Sequence, residues 1–121
     1  MLNSAIATLL WSSTVENDTP ADEYEAAPGL INRLSKDLNA FVASLPDDFD
    51  PADYWVGMSS TPGWDAWDQL GHDYILTRNH HGAGFWDGGW EKPMAERLTK
   101  ASQVLPELYC WLNGEKQVEV E

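Results

Sequence analysis

The chain has 121 residues, of which 43% are hydrophobic and 22% charged, ordinary globular usage that excludes a disordered tail or a collagen-like repeat. Twenty Asp and Glu against seven Lys and Arg give a formal net charge of −13, which argues against nonspecific binding to a phosphate backbone. A single cysteine, Cys110, excludes an internal disulfide and suits a reducing compartment.

This length suits one acidic domain over residues 1–121. The apolar start, Met1 to Trp11, lacks a basic n-region, and no run reaches the roughly 20 apolar residues of a membrane span. Neither a signal peptide nor a membrane partner is expected. Leu2, Ile6, Leu9 and Leu10 share one helical face, which predicts a short helix over 3–11 with Trp11 at its end. The stretch from Glu16 to Glu25 then carries five acids, and Asp47, Asp48, Asp50 and Asp53 form a second cluster. Both contain Pro and read as solvated loops. Residues 1–75 hold thirteen acids and two bases, a net of −11, against seven acids and five bases, a net of −2, in residues 76–121.

Between the clusters, Leu30, Leu34, Leu38, Phe41, Val42 and Leu45 recur at steps of three and four, predicting a helix from about Gly29 to Ser44. Pro28 suits its first turn and Pro46 stops it. Helical turns follow at Pro51 to Trp55 and around Trp64 to Leu70. The β-prone run His72 to Arg78, the polar reversal Asn79 to Gly82 and the aromatic segment Ala83 to Asp87 predict a hairpin whose loop is held by Gly82 and Gly84. Glu91 and Pro93 open a helix with Met94, Leu98, Ala101 and Leu105 inward, and Pro106 ends it. Leu108 to Leu112, Asn113-Gly114 and Lys116 to Glu121 predict a second hairpin with a two-residue turn. That turn pairs Tyr109 with Val118 and puts Trp111 on the same face as Val120. The expected fold is therefore α+β, a single small domain with an antiparallel sheet of about four strands in two hairpins, packed with three or four helices.

Five of the seven tryptophans, Trp55, Trp64, Trp67, Trp86 and Trp90, fall between residues 55 and 90. They fill a small core, or some form an exposed binding patch in which Trp64 and Trp67 are rimmed by Asp65 and Asp68. Carbohydrate stacking is a third use, although nothing in the sequence selects a sugar. His72, His80 and His81 lie near Asp73 and Asp87, but their spacing matches no zinc motif. Read as strand residues, His72 and Asp73 face opposite sides and make no acid–base pair. Cys110 sits in an apolar run, where burial leaves a thiol inert. The serines lack a Gly-x-Ser-x-Gly context, and the glycines at 82, 84, 88 and 89 lack a following Lys-Ser/Thr. No catalytic residue, metal or cofactor is expected, and the chain does not read as an enzyme.

The segment Gly71-His72-Asp73-Tyr74-Ile75-Leu76-Thr77-Arg78-Asn79-His80-His81-Gly82-Ala83-Gly84-Phe85-Trp86-Asp87 resembles one shared by small uncharacterised proteins of tailed bacteriophages and prophages, with a pattern like G-H-D-F-x-L-T-R-N-G-H-G-A-G-F-W-D. His72, Asp73, Arg78, Asn79, His81, Gly82, Gly84 and Asp87 fit that pattern. Tyr74 stands for its Phe, and His80 for a Gly suited to a left-handed turn. The resemblance covers about seventeen residues and brings no activity with it. It implies a phage or mobile-element origin and the host bacterial cytoplasm. The expected function is an acidic accessory protein that blocks a host or defence protein with a basic surface. Asp47, Asp48, Asp50 and Asp53 would steer, and Trp64 and Trp67 with Asp65 and Asp68 would make contact; neither direct nucleic-acid binding nor an oligomeric state is implied. One alternative is a DNA mimic of the anti-restriction or anti-CRISPR type. Another is a small hydrolase or nucleotide-modifying enzyme using His72, His81, Asp73 and Asp87.

Overall fold

The computed structural model describes residues 1–87 and 89–121 as a small α+β domain of four helices and a three-stranded mixed sheet. Helix α1 spans Leu2–Trp11, β1 Glu25–Ala26, α2 Pro28–Ala43, α3 Ala66–Arg78 and α4 Lys92–Ser102. Strands β2, Cys110–Leu112, and β3, Gln117–Val120, close the chain. Strand β3 is central, antiparallel to β2 and parallel to β1. No helix among the described residues is long and apolar enough to cross a membrane.

Periodicity places three of the helices. Leu30, Leu34, Leu38 and Phe41 form the buried stripe of α2, with Pro28 in its first turn. In α4, Met94, Ala95, Leu98 and Ser102 face inward. Helix α1 buries the small residues Ser4, Ala5 and Thr8 beside Leu9, which lets α3 approach closely. At the contact a Cβ on Gly71 would overlap the Met1 carbonyl and stand 2.7 Å from Ser4 Oγ.

The first expected hairpin is absent: residues 72–78 belong to α3, and the segment after them is a loop without a strand. Tyr74, Ile75 and Thr77 are strand-prone, but propensity is a weak prior against burial. Every residue of α3 from Gln69 to Arg78 except His72 is buried. A helix buried on all sides has no apolar stripe, so periodicity cannot reveal it. Its start is marked by a capping box, in which Asp65 accepts from the Asp68 amide at 2.9 Å and Asp68 from the Asp65 amide at 3.2 Å.

After α3, His80 at φ +52° occupies the left-handed turn that the phage-protein pattern fills with glycine. The next loop folds back along the helix. Thr77 Oγ1 accepts from the Phe85 amide at 3.2 Å, and a Cβ on Gly84 would lie 2.6 Å from that oxygen. Nothing lies within 4 Å of a Cβ on Gly82, so only the second of the two expected glycines is needed by packing.

The second hairpin exists in a different register. Cys110 pairs with Val120, Trp111 with Glu119 and Leu112 with Val118. The turn is longer than two residues: the Lys116 amide donates to the Asn113 carbonyl, and Lys116 takes the left-handed position at φ +61°. Asn113 Oδ1 holds the loop by accepting from the amides of Glu115 and Gln117. The slip is odd, so the faces exchange: Cys110 and Leu112, not Tyr109 and Trp111, lie with Val118 and Val120 on the core side.

Candidate functional site

The central helix carries an unusual load of buried polar groups, which need partners. Most of the polar residues of the 71–87 segment are accounted for by building the fold. Arg78 is fully buried and donates to Asp37 at 2.8 Å, to Tyr74 Oη at 3.1 Å and to the Pro106 carbonyl at 2.8 Å. Asn79 clasps Leu108, accepting from its amide at 2.8 Å and donating to its carbonyl at 3.4 Å. Asp87 closes a turn by accepting from the Gly84 amide at 2.8 Å.

His72 and Asp73 have a different setting. Neighbours on a helix diverge by only about 100°, so both side chains reach one cleft, where a strand would have parted them. Their nearest atoms, His72 Nε2 and Asp73 Oδ1, stand 3.9 Å apart. The cleft holds about 370 Å³ and is lined by Trp55, Trp90, Ser60, Gln69 and Asp87 besides this pair.

Asp73 is 7% exposed, and among the described residues no Lys or Arg pairs with it. Oδ2 accepts from the Trp90 indole at 2.6 Å, and Oδ1 from Gln69 Nε2 at 3.1 Å. Gln69 is itself oriented: its Oε1 accepts from the Ser60 amide and its Nε2 also donates to Ser60 Oγ, each at 2.9 Å. Burial pushes the Asp73 carboxyl up to about 6, against the pull of the two donors and helped by the nearby charge of Asp87.

His72 is held from α1. Thr8 Oγ1 donates to the Ser4 carbonyl at 2.8 Å and lies 2.8 Å from His72 Nδ1. In the tautomer that lets the hydroxyl keep its proton on Ser4, Thr8 accepts from Nδ1–H and Nε2 is the bare nitrogen toward Asp73. Burial, then the neighbouring His81, lowers the imidazole's proton affinity and keeps it neutral. Its ring lies 5.3 Å from Trp64 and 6.4 Å from Trp11, and a second recess of about 380 Å³ bounded by those indoles shares His72 and Ser60 with the first.

The remaining expected site residues lie elsewhere. His81 is exposed and packs 6.0 Å from Trp11, outside the cleft. Trp64 and Trp67 are half-buried, and Trp67 meets Phe49 edge-on at 6.1 Å. Asp65 and Asp68 are occupied by the capping box, and Asp68 also lies 3.4 Å from the Met1 ammonium. Asp47, Asp48, Asp50 and Asp53 are exposed on the connection after α2. Burial raises the Cys110 thiol. Among the described residues, no three or more His, Cys, Asp or Glu are grouped to hold a metal. Gln69 reaches Asp73 at a spacing of four that is legible once residues 69–73 are read as helix, whereas Thr8 and Trp90 act on His72 and Asp73 across elements that sequence spacing does not connect. Comparison with known protein families, characterised proteins and solved structures gives no match.

Proposed function

We propose that the cleft binds a small, uncharged, hydroxylated ligand and moves a proton on it, with His72 Nε2 as base and Asp73 as acid. The observation carrying this reading is the facing pair: a neutral imidazole with its bare nitrogen 3.9 Å from a carboxyl that titrates near 6. Two hydrogen bonds of ordinary length meeting at one oxygen span such a gap, so a ligand hydroxyl or a water fits between them. In a hydrolysis His72 takes a proton from that water as the hydroxide bonds to the ligand, the bond to the leaving group breaks while Asp73 gives that group its proton, and the proton on His72 then passes to Asp73 to restore the pair. Among the described lining residues there is no Lys or Arg, and Asp87 adds a negative charge, which disfavours a phosphorylated ligand. The half-buried Trp55 indole lines the cleft and supplies apolar surface for a ring.

The test is a panel of monosaccharides and nucleosides, each beside its phosphorylated form, followed through the Trp90 indole N–H resonance. Neutral compounds are expected to shift it, their phosphates to bind at least tenfold more weakly, and Asp73→Asn or His72→Gln to abolish turnover of any compound hydrolysed. Preference for the phosphates, or full activity in both variants, would overturn the reading.

A second reading keeps the phage-encoded accessory protein that blocks a basic host or defence protein. It is favoured by the four exposed acids of residues 47–53, which surround Phe49 and its contact with Trp67.

A further inference from the structure

Helix α4 is a basic element in an acidic chain. Its Lys92, Arg97 and Lys100 face one acid, Glu96, whereas the whole molecule carries −13. Beside it lies a separate cavity of about 360 Å³, floored by buried Phe85 and Trp90, walled by Trp86, which is 48% exposed, and rimmed by Lys92, Glu96 and Lys100. Among the described residues it shares only Trp90 with the acid–base cleft. None of the other four cavities described has a lysine in its lining. Among the described residues neither Lys92 nor Lys100 makes an ion pair.

We infer that this groove is a second ligand site, which takes a flat aromatic carboxylate with its ring against the exposed Trp86 over the floor of Phe85 and Trp90, and its charge in the field of Lys92 and Lys100, which stand one turn to either side of Glu96 on α4 and outnumber it. The volume falls at the lower end of the roughly 300–1,000 Å³ of small-molecule sites, and an apolar floor with few polar groups at its edge is their usual composition. Indole faces accept a planar ring in offset or edge contact. The lysines supply what an apolar ring cannot use and a carboxylate can, a charge partner in a field otherwise hostile to anions. The assignment does not depend on the chemistry of His72 and Asp73.

Naphthalene-2-carboxylate, with naphthalene-2-methanol as its neutral counterpart, tests the assignment by titration into isotope-labelled protein at low salt. The carboxylate is expected to bind at least tenfold more tightly than the alcohol and to shift the indole N–H signals of Trp86 and Trp90 while leaving that of Trp111 in place. Both lysines are exposed, so the double variant Lys92→Gln/Lys100→Gln keeps the fold and is expected to bring the carboxylate down to the affinity of the alcohol. Equal affinities, an unaffected double variant, or shifts at Trp11 and Trp64 instead would overturn it. So would sedimentation showing self-association that the double variant abolishes, since the groove would then hold an acidic segment of a second copy.

Discussion

Asp73 is a buried carboxyl stabilised by two neutral donors, and that arrangement sets the direction of its effect on stability. Its proton is bound more tightly in the fold, near pH 6, than in the unfolded chain, near 3.8. Its contribution is therefore fully present below about pH 4 and is lost as pH rises through about 6, with about 3 kcal/mol withdrawn once the carboxylate is formed. Asparagine does not titrate. Denaturant unfolding of the chain and of Asp73→Asn at pH 4 and pH 7 is expected to show the variant gaining on the parent by about that amount at the higher pH. A constant difference across the range would mean that Asp73 is ionised throughout. His72 acts with the opposite sign, since its neutral form is the one the fold prefers, and its contribution is lost as pH falls below 6.5. A reaction using neutral His72 with protonated Asp73 accordingly declines as pH rises through about 6.

At the scale of elements, α3 decides the architecture, and its packing rests on what Gly71 omits. Alanine there would drive a methyl group into the Met1 carbonyl and Ser4 Oγ, an overpacking that costs about 1–3 kcal/mol. Gly82→Ala meets no atom within 4 Å and is expected to change stability by less than about 0.5 kcal/mol. Thermal or denaturant unfolding of the two variants checks this, and equal losses would refute the close approach of α1 and α3. The same helix marks where sequence reading stops. Helices α1, α2 and α4 each have one wet face, so Leu30, Leu34 and Leu38 or Met94 and Leu98 announce themselves at helical spacing. Helix α3 has almost no wet face, and its only local signal is the pair Asp65 and Asp68 at its start. Read as a strand, this run parts His72 from Asp73; as a helix it brings both to one cleft. The hairpin near Asn113-Gly114 was legible in place but not in register, because Asn113 caps a longer loop with its own side chain.

For the whole molecule, the uneven charge bears on how a partner would be met. Residues 1–75 carry −11, and four of their acids project from the 47–53 connection, where Phe49 stacks on Tyr54 at 5.7 Å and meets Trp67. If this surface meets a basic partner, as the second proposed reading has it, the acids would raise the encounter rate and the half-buried indole would slow escape. Asn at all four positions keeps the acceptor through which Asp50 caps the turn at Pro51–Asp53, since the Ala52 amide donates to it at 3.0 Å, so the fold is preserved. Against a basic protein captured from a bacterial lysate at low salt, this fourfold variant is expected to associate several-fold more slowly and to lose most of its salt dependence, with dissociation little changed. Trp67→Leu is expected to do the reverse and mainly speed dissociation. Surface-immobilised binding kinetics at two salt concentrations separate the two effects. If the tryptophan variant instead binds normally and affinity falls by a similar step with each acid removed, from the 16–25 stretch as well as from 47–53, then the acids act as a distributed array in the manner of nucleic-acid phosphate. The DNA-mimic alternative would then replace occlusion as the account of this surface.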